Sequence, residues 1–347
     1  MTILTKCYFI RIVGSFHFRT PMFIIRDLEV MKLIWIKHFD HFTDHFDFVN
    51  EDMDPLQGNS LILLKGQKWK DMRSLLSPAF TGSKMRQMFD LVCVCTKASI
   101  GTLEQQIKEP GQDVLEMRKL FAKFTVDVIA SCAFGLDVNS FNNPDNDFQK
   151  VATTILKPNT FMLVTKYILL FLMPNLMKKL NLSLSDRETI KFFRETVSDT
   201  MKIREKEGIL RPDMINLLME AKKGSLNHSK TEDLVEGKAV VEESINNKAV
   251  VSRNWSDDEL VAQCMIFFTA GFDTTSTALS FSAYELALNP DFQEKLRTEV
   301  TAMEETLNGK NLTYDNIQKM LLLDQFICEI LRMYPPGTIT NILILKV

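Results

Sequence analysis

Asp273 and Thr274 stand side by side in a stretch whose neighbours, Phe267, Phe268 and Phe272, lead one to expect hydrocarbon. A carboxylate next to a hydroxyl can pass a proton between them and on to a third group. A charge taken out of water without a partner is strongly unfavourable, so an acid in such a place needs solvent or an ion pair. Gly271 stands just ahead of the acid, and a mid-helix glycine, which loosens a helix, costs about 1 kcal/mol against alanine. Thr274 can bond back to the carbonyl one turn earlier and bend the chain. Ile266, Ala270 and Thr274 recur at i, i+4 and i+8, which puts a small residue between two larger ones on one helical face. A flat ligand could press on that face with the acid–alcohol pair at its rim. The same spacing also suits a kinked core helix whose polar patch is internally satisfied, and the pattern alone leaves both open.

The element that must carry these residues runs from Trp255 to Leu288. Ser256 followed by Glu259 is a capping box that satisfies orphan N–H groups of the first turn, and Asn289-Pro290 ends the run. At ~1.5 Å per residue it spans roughly 50 Å, enough to cross a whole domain. Helical patterns also dominate from Gln67 to Ser140 and from Asp186 to Ala221. Pro21 to Ile34 reads as a short strand and helix opening a small β-rich lobe, and Asn50 to Ser60 as a loop. Beyond Pro290 come a helix to Thr306, a turn at Asn308-Gly309 and a last helix from Leu323 to Met333. Residues 224–254 are polar and carry a near-repeat at Lys238-Ala239-Val240-Val241 and Lys248-Ala249-Val250-Val251, which suits a mobile surface loop.

Four segments, in this order, carry a family resemblance. They are Gly66-Gln67-Lys68-Trp69-Lys70-Asp71-Met72-Arg73 with Leu76-Ser77-Pro78-Ala79-Phe80 after it, Asp127-Val128-Ile129-Ala130-Ser131-Cys132-Ala133-Phe134-Gly135, Ala270-Gly271-Phe272-Asp273-Thr274-Thr275, and Glu329-Ile330-Leu331-Arg332-Met333-Tyr334-Pro335-Pro336. Each is weak alone: Glu294-Lys295-Leu296-Arg297 also fits the ExxR pattern, without Tyr-Pro-Pro behind it. As an ordered set they are specific, and the chain resembles the cytochrome P-450 superfamily, most closely its insect microsomal, detoxification-type members.

The resemblance implies a mainly α cytochrome P-450 fold, incomplete at both ends, with an atypical N-terminus over 1–15, a partial domain over 16–337 and a tail over 338–347 outside family character. It implies haem b, its propionates clamped by Trp69 and Arg73, with Ala270 and Gly271 on the haem face. Asp273 and Thr274 match the pair held to relay protons during oxygen activation, Ile266 and Phe267 match positions that contact substrate, and Glu329 with Arg332 matches a structural ion pair. Electrons would come from NADPH through cytochrome P-450 reductase, the substrate would be a small apolar compound (xenobiotic or lipid-like), and the setting would be the cytosolic face of the endoplasmic reticulum membrane.

The family's chemistry needs a cysteine thiolate on the haem iron. The six cysteines, Cys7, Cys93, Cys95, Cys132, Cys264 and Cys328, lie in no Phe- and Gly-rich loop of the kind that supplies it, so no metal ligand is assigned. The expectation is a chain that does not bind haem normally and is inactive as written. The alternative is a catalytically dead helical fragment, a pseudogene product or a binding decoy. With 46% hydrophobic and 24% charged residues, 347 residues can form a substantial core, and a net charge of −3 gives no reason to expect nucleic acid. Dispersed cysteines suit a reducing compartment. The resemblance would put an apolar anchor at the front, and Met1 to Phe16, interrupted by Lys6 and Arg11, is not expected to serve as one. Phe161 to Met173 is strongly apolar, is interrupted by Lys166 and is followed by Lys178 and Lys179. It suits peripheral, interfacial membrane contact, with an ordinary buried helix as the other reading. Lys68 and Lys70 could add positive potential toward a reductase or simply be solvated.

Overall fold

Ser256 begins the element around which the others are arranged. Its hydroxyl accepts from the Glu259 N–H while a Glu259 carboxylate oxygen accepts from the Ser256 N–H, the capping box expected of this sequence. The helix beyond it, Asp257–Leu288, is continuous for 32 residues. In the computed structural model of the protein, residues 11–17, 20–45, 49, 51–108, 114–156, 160–180, 182–211, 213–222 and 254–337 are described. The tail over 338–347, and all of the polar segment 224–254 except Asn254, lie outside them.

In chain order the described elements are strands β1 (Ile12–His17) and β2 (Thr20–Ile25), then helices α1 (Leu28–Lys32), α2 (Gly66–Leu76), α3 (Gly82–Lys108), α4 (Met117–Ile129), α5 (Asp147–Leu156), α6 (Thr160–Leu172) and α7 (Pro174–Lys179). Helices α8 (Arg187–Glu207), α9 (Met214–Lys222), α10 (Asp257–Leu288), α11 (Pro290–Thr306), α12 (Tyr314–Gln318) and α13 (Leu321–Met333) complete them. The fold is mainly α, as expected. β1 and β2 pair antiparallel with Gly14 opposite Phe23, so Ile12 to Ser15 belong to the hairpin although sequence placed them outside the domain. The short α12, closed by a reciprocal Thr313–Asn316 cap, was not anticipated.

The core lies along the first half of α10, where Leu260, Val261, Cys264, Met265, Phe268 and Phe272 are buried. Phe268 meets Phe193 of α8 at 5.5 Å and Phe148 of α5 at 5.7 Å, and Phe134 stands 5.3 Å from Phe148, ring centre to ring centre. Rings at these offsets contribute beyond the area they bury. α4 runs on as a wider turn, Ala130–Phe134, and stops at Gly135, whose φ of +72° is left-handed. A side chain at Gly135 would collide with the buried Arg204–Asp213 pair, joined by hydrogen bonds of 2.7 and 2.6 Å. Asp213 also accepts from the Asn216 N–H, and Arg204 donates to the Phe134 carbonyl.

α6 and α7 sit apart from this core. Leu170 and Met177 are buried against Val49 and Leu63, and Lys166 donates to the Leu184 carbonyl. The outer face of α6 leaves Phe161, Met162, Val164, Ile168 and Leu172 exposed. Among the described residues no helix is long and apolar enough to cross a membrane.

Candidate functional site

Midway along α10 two faces diverge. Phe272 and Ser276 are buried, whereas Ala270 and Thr274 are exposed and Ile266 is half-buried above them. The Thr274 hydroxyl donates to the Ala270 carbonyl at 2.6 Å, the back-bond its position allows. Ile266, Ala270 and Thr274 therefore form an open strip, with an apolar top and a hydroxyl at its lower end.

Asp273 stands at the edge of that strip. The sequence required an acid here to be solvated or paired, and its side chain is both: it is 45% exposed and accepts from an Arg118 Nη at 2.9 Å. The other Arg118 Nη donates to the Thr277 hydroxyl at 3.0 Å. Solvent and an arginine that donates once to the carboxylate together offset the desolvation penalty. Arg118 lies 155 residues away in sequence, in the first turn of α4, and no spacing pattern pointed to it.

Gly271 behaves differently from its sequence expectation. α10 is unbroken at this point, so the glycine does not interrupt it. A Cβ on Gly271 would lie 3.1 Å from Ile129 Cδ1 of α4, and the Thr125 hydroxyl donates to the Phe272 carbonyl at 3.1 Å. The missing side chain lets α4 close on α10.

On α2, Trp69 is buried and Arg73 is exposed, with the guanidinium carbon 5.5 Å from the indole centroid. This is a cation–π contact that holds the arginine head at the surface. Just past α2, Phe80 meets Phe267 of α10 at 5.3 Å, so Phe267 closes the joint with the Ser77–Phe80 turn while Ile266 borders the strip. Lys68 is neither solvated nor free to attract a partner: its ammonium bonds Glu259 at 2.6 Å and Asn59 Oδ1 at 2.9 Å. Burial alone would push the Glu259 carboxyl up, but hydrogen bonds from Lys68 and Ser256 outweigh it and hold the group below the usual glutamate range.

Arg332 donates to both carboxylate oxygens of Glu329, at 2.7 and 2.6 Å, with both side chains exposed on α13. Those bonds pull the Glu329 carboxyl below its ordinary value. Glu294 and Arg297 form a similar exposed pair on α11, so the pairing alone does not distinguish the two matches to ExxR. The exit from α13 does distinguish them: Tyr334 stacks on Phe281 of α10 at 4.1 Å, nearly parallel, and its hydroxyl donates to Glu285 at 2.5 Å. That bond pushes the Tyr334 phenol up.

The five described cysteines are free. Cys264 is buried in the α10 core and burial pushes its thiol far up, while Cys95 and Cys132, also desolvated, are pushed up to about 11. Such thiols stay protonated and are poor ligands. Cys328 is exposed on α13, Cys93 is partly buried on α3, and Cys7 lies outside the described residues.

The cytochrome P-450 family model matches residues 1–342, running through the stretch set aside at 1–15 and into the tail. The chain is 42% identical to probable cytochrome P-450 9f2 of Drosophila melanogaster, over 93% of this chain and 60% of that protein. It is 38% identical to cytochrome P-450 9c1 of the same species, over 95% of this chain and 61% of the relative. Against cytochrome P-450 9e2 of Blattella germanica the identity is 39%, over 94% and 62%. The chain thus spans about 60% of the length of the first of these curated relatives. With so continuous a match, and insect relatives on every count, the chain belongs to the cytochrome P-450 family.

Proposed function

We propose that this chain supplies the oxygen-side helix and the propionate clamp of a haem monooxygenase that oxygenates small apolar compounds, xenobiotic or lipid-like. The observation that carries this reading is the open Ile266–Ala270–Thr274 strip with a solvated, cation-paired acid at its edge. The residues present fit haem b. A flat ring suits a strip with a methyl at its centre, and its carboxylates suit Arg73, held at the surface against Trp69. When bound through a thiolate, haem supplies dioxygen activation. The protein's part is to exclude and to deliver: Ile266 keeps the upper strip apolar for substrate, and Phe267 backs it from the joint with Phe80. Asp273, open to water, exchanges protons with solvent and stands one residue from the Thr274 hydroxyl.

NADPH and cytochrome P-450 reductase follow from the family as electron source and partner. The apolar outer face of α6 supports peripheral contact with the endoplasmic reticulum membrane from its cytosolic side. The desolvated Cys95, Cys132 and Cys264 support the second half of the proposal, that these 347 residues by themselves are inactive and act, if at all, as a binding fragment. A CO-difference spectrum of the haem-reconstituted chain tests this. The expected result has no thiolate-type band, and a normal band overturns the inactivity. For the monooxygenase reading, Thr274→Ala in the chain joined to a haem-ligating cysteine loop should consume NADPH with less product. Unchanged coupling removes the proton-delivery role.

A further inference from the structure

A ring of polar contacts joins α2 to α10. Lys68 donates to Asn59 Oδ1 at 2.9 Å and pairs with Glu259 at 2.6 Å, with Glu51 at 3.6 Å beside it. One turn along α10, Gln263 is wholly buried; its amide donates to the Asn59 and Glu259 carbonyls and its oxygen accepts from the Leu61 N–H. Asn59 is thus held on both sides, by Lys68 through its side chain and by Gln263 through its carbonyl. Glu259 splits its two oxygens, one on the Ser256 N–H of the helix cap and one on Lys68. The Lys68 side chain is only 25% exposed and Glu259 12%, so the pair is shielded rather than a passing surface contact.

The position of this ring gives it a consequence. Lys68 ties α2 to α10 at Glu259, and Phe80 ties the end of the same segment to α10 at Phe267. Arg73 lies between the two ties, and Ile266 and Ala270 lie beside the second. We propose that Lys68 is a positioning residue: by bridging Glu259 and Asn59 it sets where the Arg73 guanidinium stands relative to the α10 strip, and so tunes affinity for a flat dianionic ligand. This rests on the reading of Arg73 as a carboxylate clamp. It also removes Lys68 from the surface charge that could steer an acidic partner.

The test reads backbone amide exchange of α2 in the 347-residue chain and, separately, Soret titration with haem in the same chain joined to a haem-ligating cysteine loop. Lys68→Met should speed α2 exchange about tenfold and weaken haem uptake by a similar factor, because the tie is lost while the apolar stem is kept. Lys68→Arg should restore both, and Glu259→Gln should reproduce the Met effect without adding to it in the double variant. Arg73→Ala should weaken haem uptake and leave α2 exchange unchanged. Unchanged α2 exchange in Lys68→Met overturns the proposal. So does faster exchange with haem uptake at the unsubstituted level. If Arg73→Ala leaves uptake unchanged, or the unsubstituted chain takes up no haem, the carboxylate-clamp reading fails, and the haem-tuning part of the proposal with it. The exchange data then judge the tie alone.

Discussion

Arg118 reaches from the first turn of α4 to Asp273 in the middle of α10, 2.9 Å from nitrogen to oxygen, and holds Thr277 with its other arm. Both partners are about half exposed, 49% and 45%. Arg118→Ala should therefore change unfolding free energy by no more than ~1 kcal/mol. A double-mutant cycle with Asp273→Asn, read by urea unfolding, should return a coupling of about 0.2–1 kcal/mol. A coupling several-fold larger would mean that the pair is far better shielded than its exposure indicates.

Gly271 and Ile129 set up a competition of two small terms. Alanine at 271 gains about 1 kcal/mol of helix propensity. Its Cβ meets only the flexible tip of Ile129, at 3.1 Å. Gly271→Ala should thus leave thermal stability unchanged or slightly raised, whereas Gly271→Leu should lower it by about 1–3 kcal/mol. Ile129→Ala should recover part of the leucine loss. Additive losses in that pair would place the crowding elsewhere.

The pH dependence follows from Glu259, whose folded-state acid is depressed by Lys68 and Ser256. A depressed acid stabilises the fold above its unfolded value, and the contribution fades as pH falls through the lower folded value. Asp127 works the other way: burial raises its acid despite the bonds from Ser140, so protonation at falling pH favours the fold. Lys68→Met separates them. The stability gap between it and the unsubstituted chain should be widest at neutral pH and should shrink as pH falls below the ordinary glutamate range, measured by urea midpoints. A gap independent of pH would remove the ion pair from the account.

The exposed face of α6 makes a prediction about lipid. Replacing Phe161 and Ile168 by Asp should cut binding to phospholipid vesicles by roughly tenfold or more for each side chain, since burying such a group contributes about 1.5–3 kcal/mol. Vesicle flotation of the single and double variants measures it. Equal flotation of all forms would return α6 to an ordinary surface helix.

Sequence reasoning reached what is local. The Ser256–Glu259 cap, the stop at Asn289-Pro290 and the shared face of Ile266, Ala270 and Thr274 depend on neighbours within one or two turns, and each recurs in the structure. The partners of the site were out of reach because they are joined by folding alone. Arg118 meets Asp273, Ile129 meets Gly271, Lys68 meets Glu259 and Tyr334 meets Glu285 across wide separations in the chain. The direction of Gly271 was missed for the same reason: a glycine in a helix has no partner until the second helix is placed. Sequence could require that the acid at 273 be solvated or paired but could not name its partner, because Arg118 reaches it only once α4 is placed.

The Arg204–Asp213 pair beneath Gly135 has an evolutionary corollary. Losing Asp213 alone leaves Arg204 stranded in the interior at a cost of about 3–5 kcal/mol. Losing Arg204 alone leaves Asp213 with only the more distant Arg211 at 3.5 Å, and exchanging both for packed apolar groups is often neutral. Glycine at 135 is bound into the same choice, because only its bare backbone leaves room for the pair. Drift at 204 and 213 should therefore be concerted. A lineage that abandons the arginine is expected to abandon the aspartate with it, while the left-handed backbone at 135 keeps glycine favoured even then.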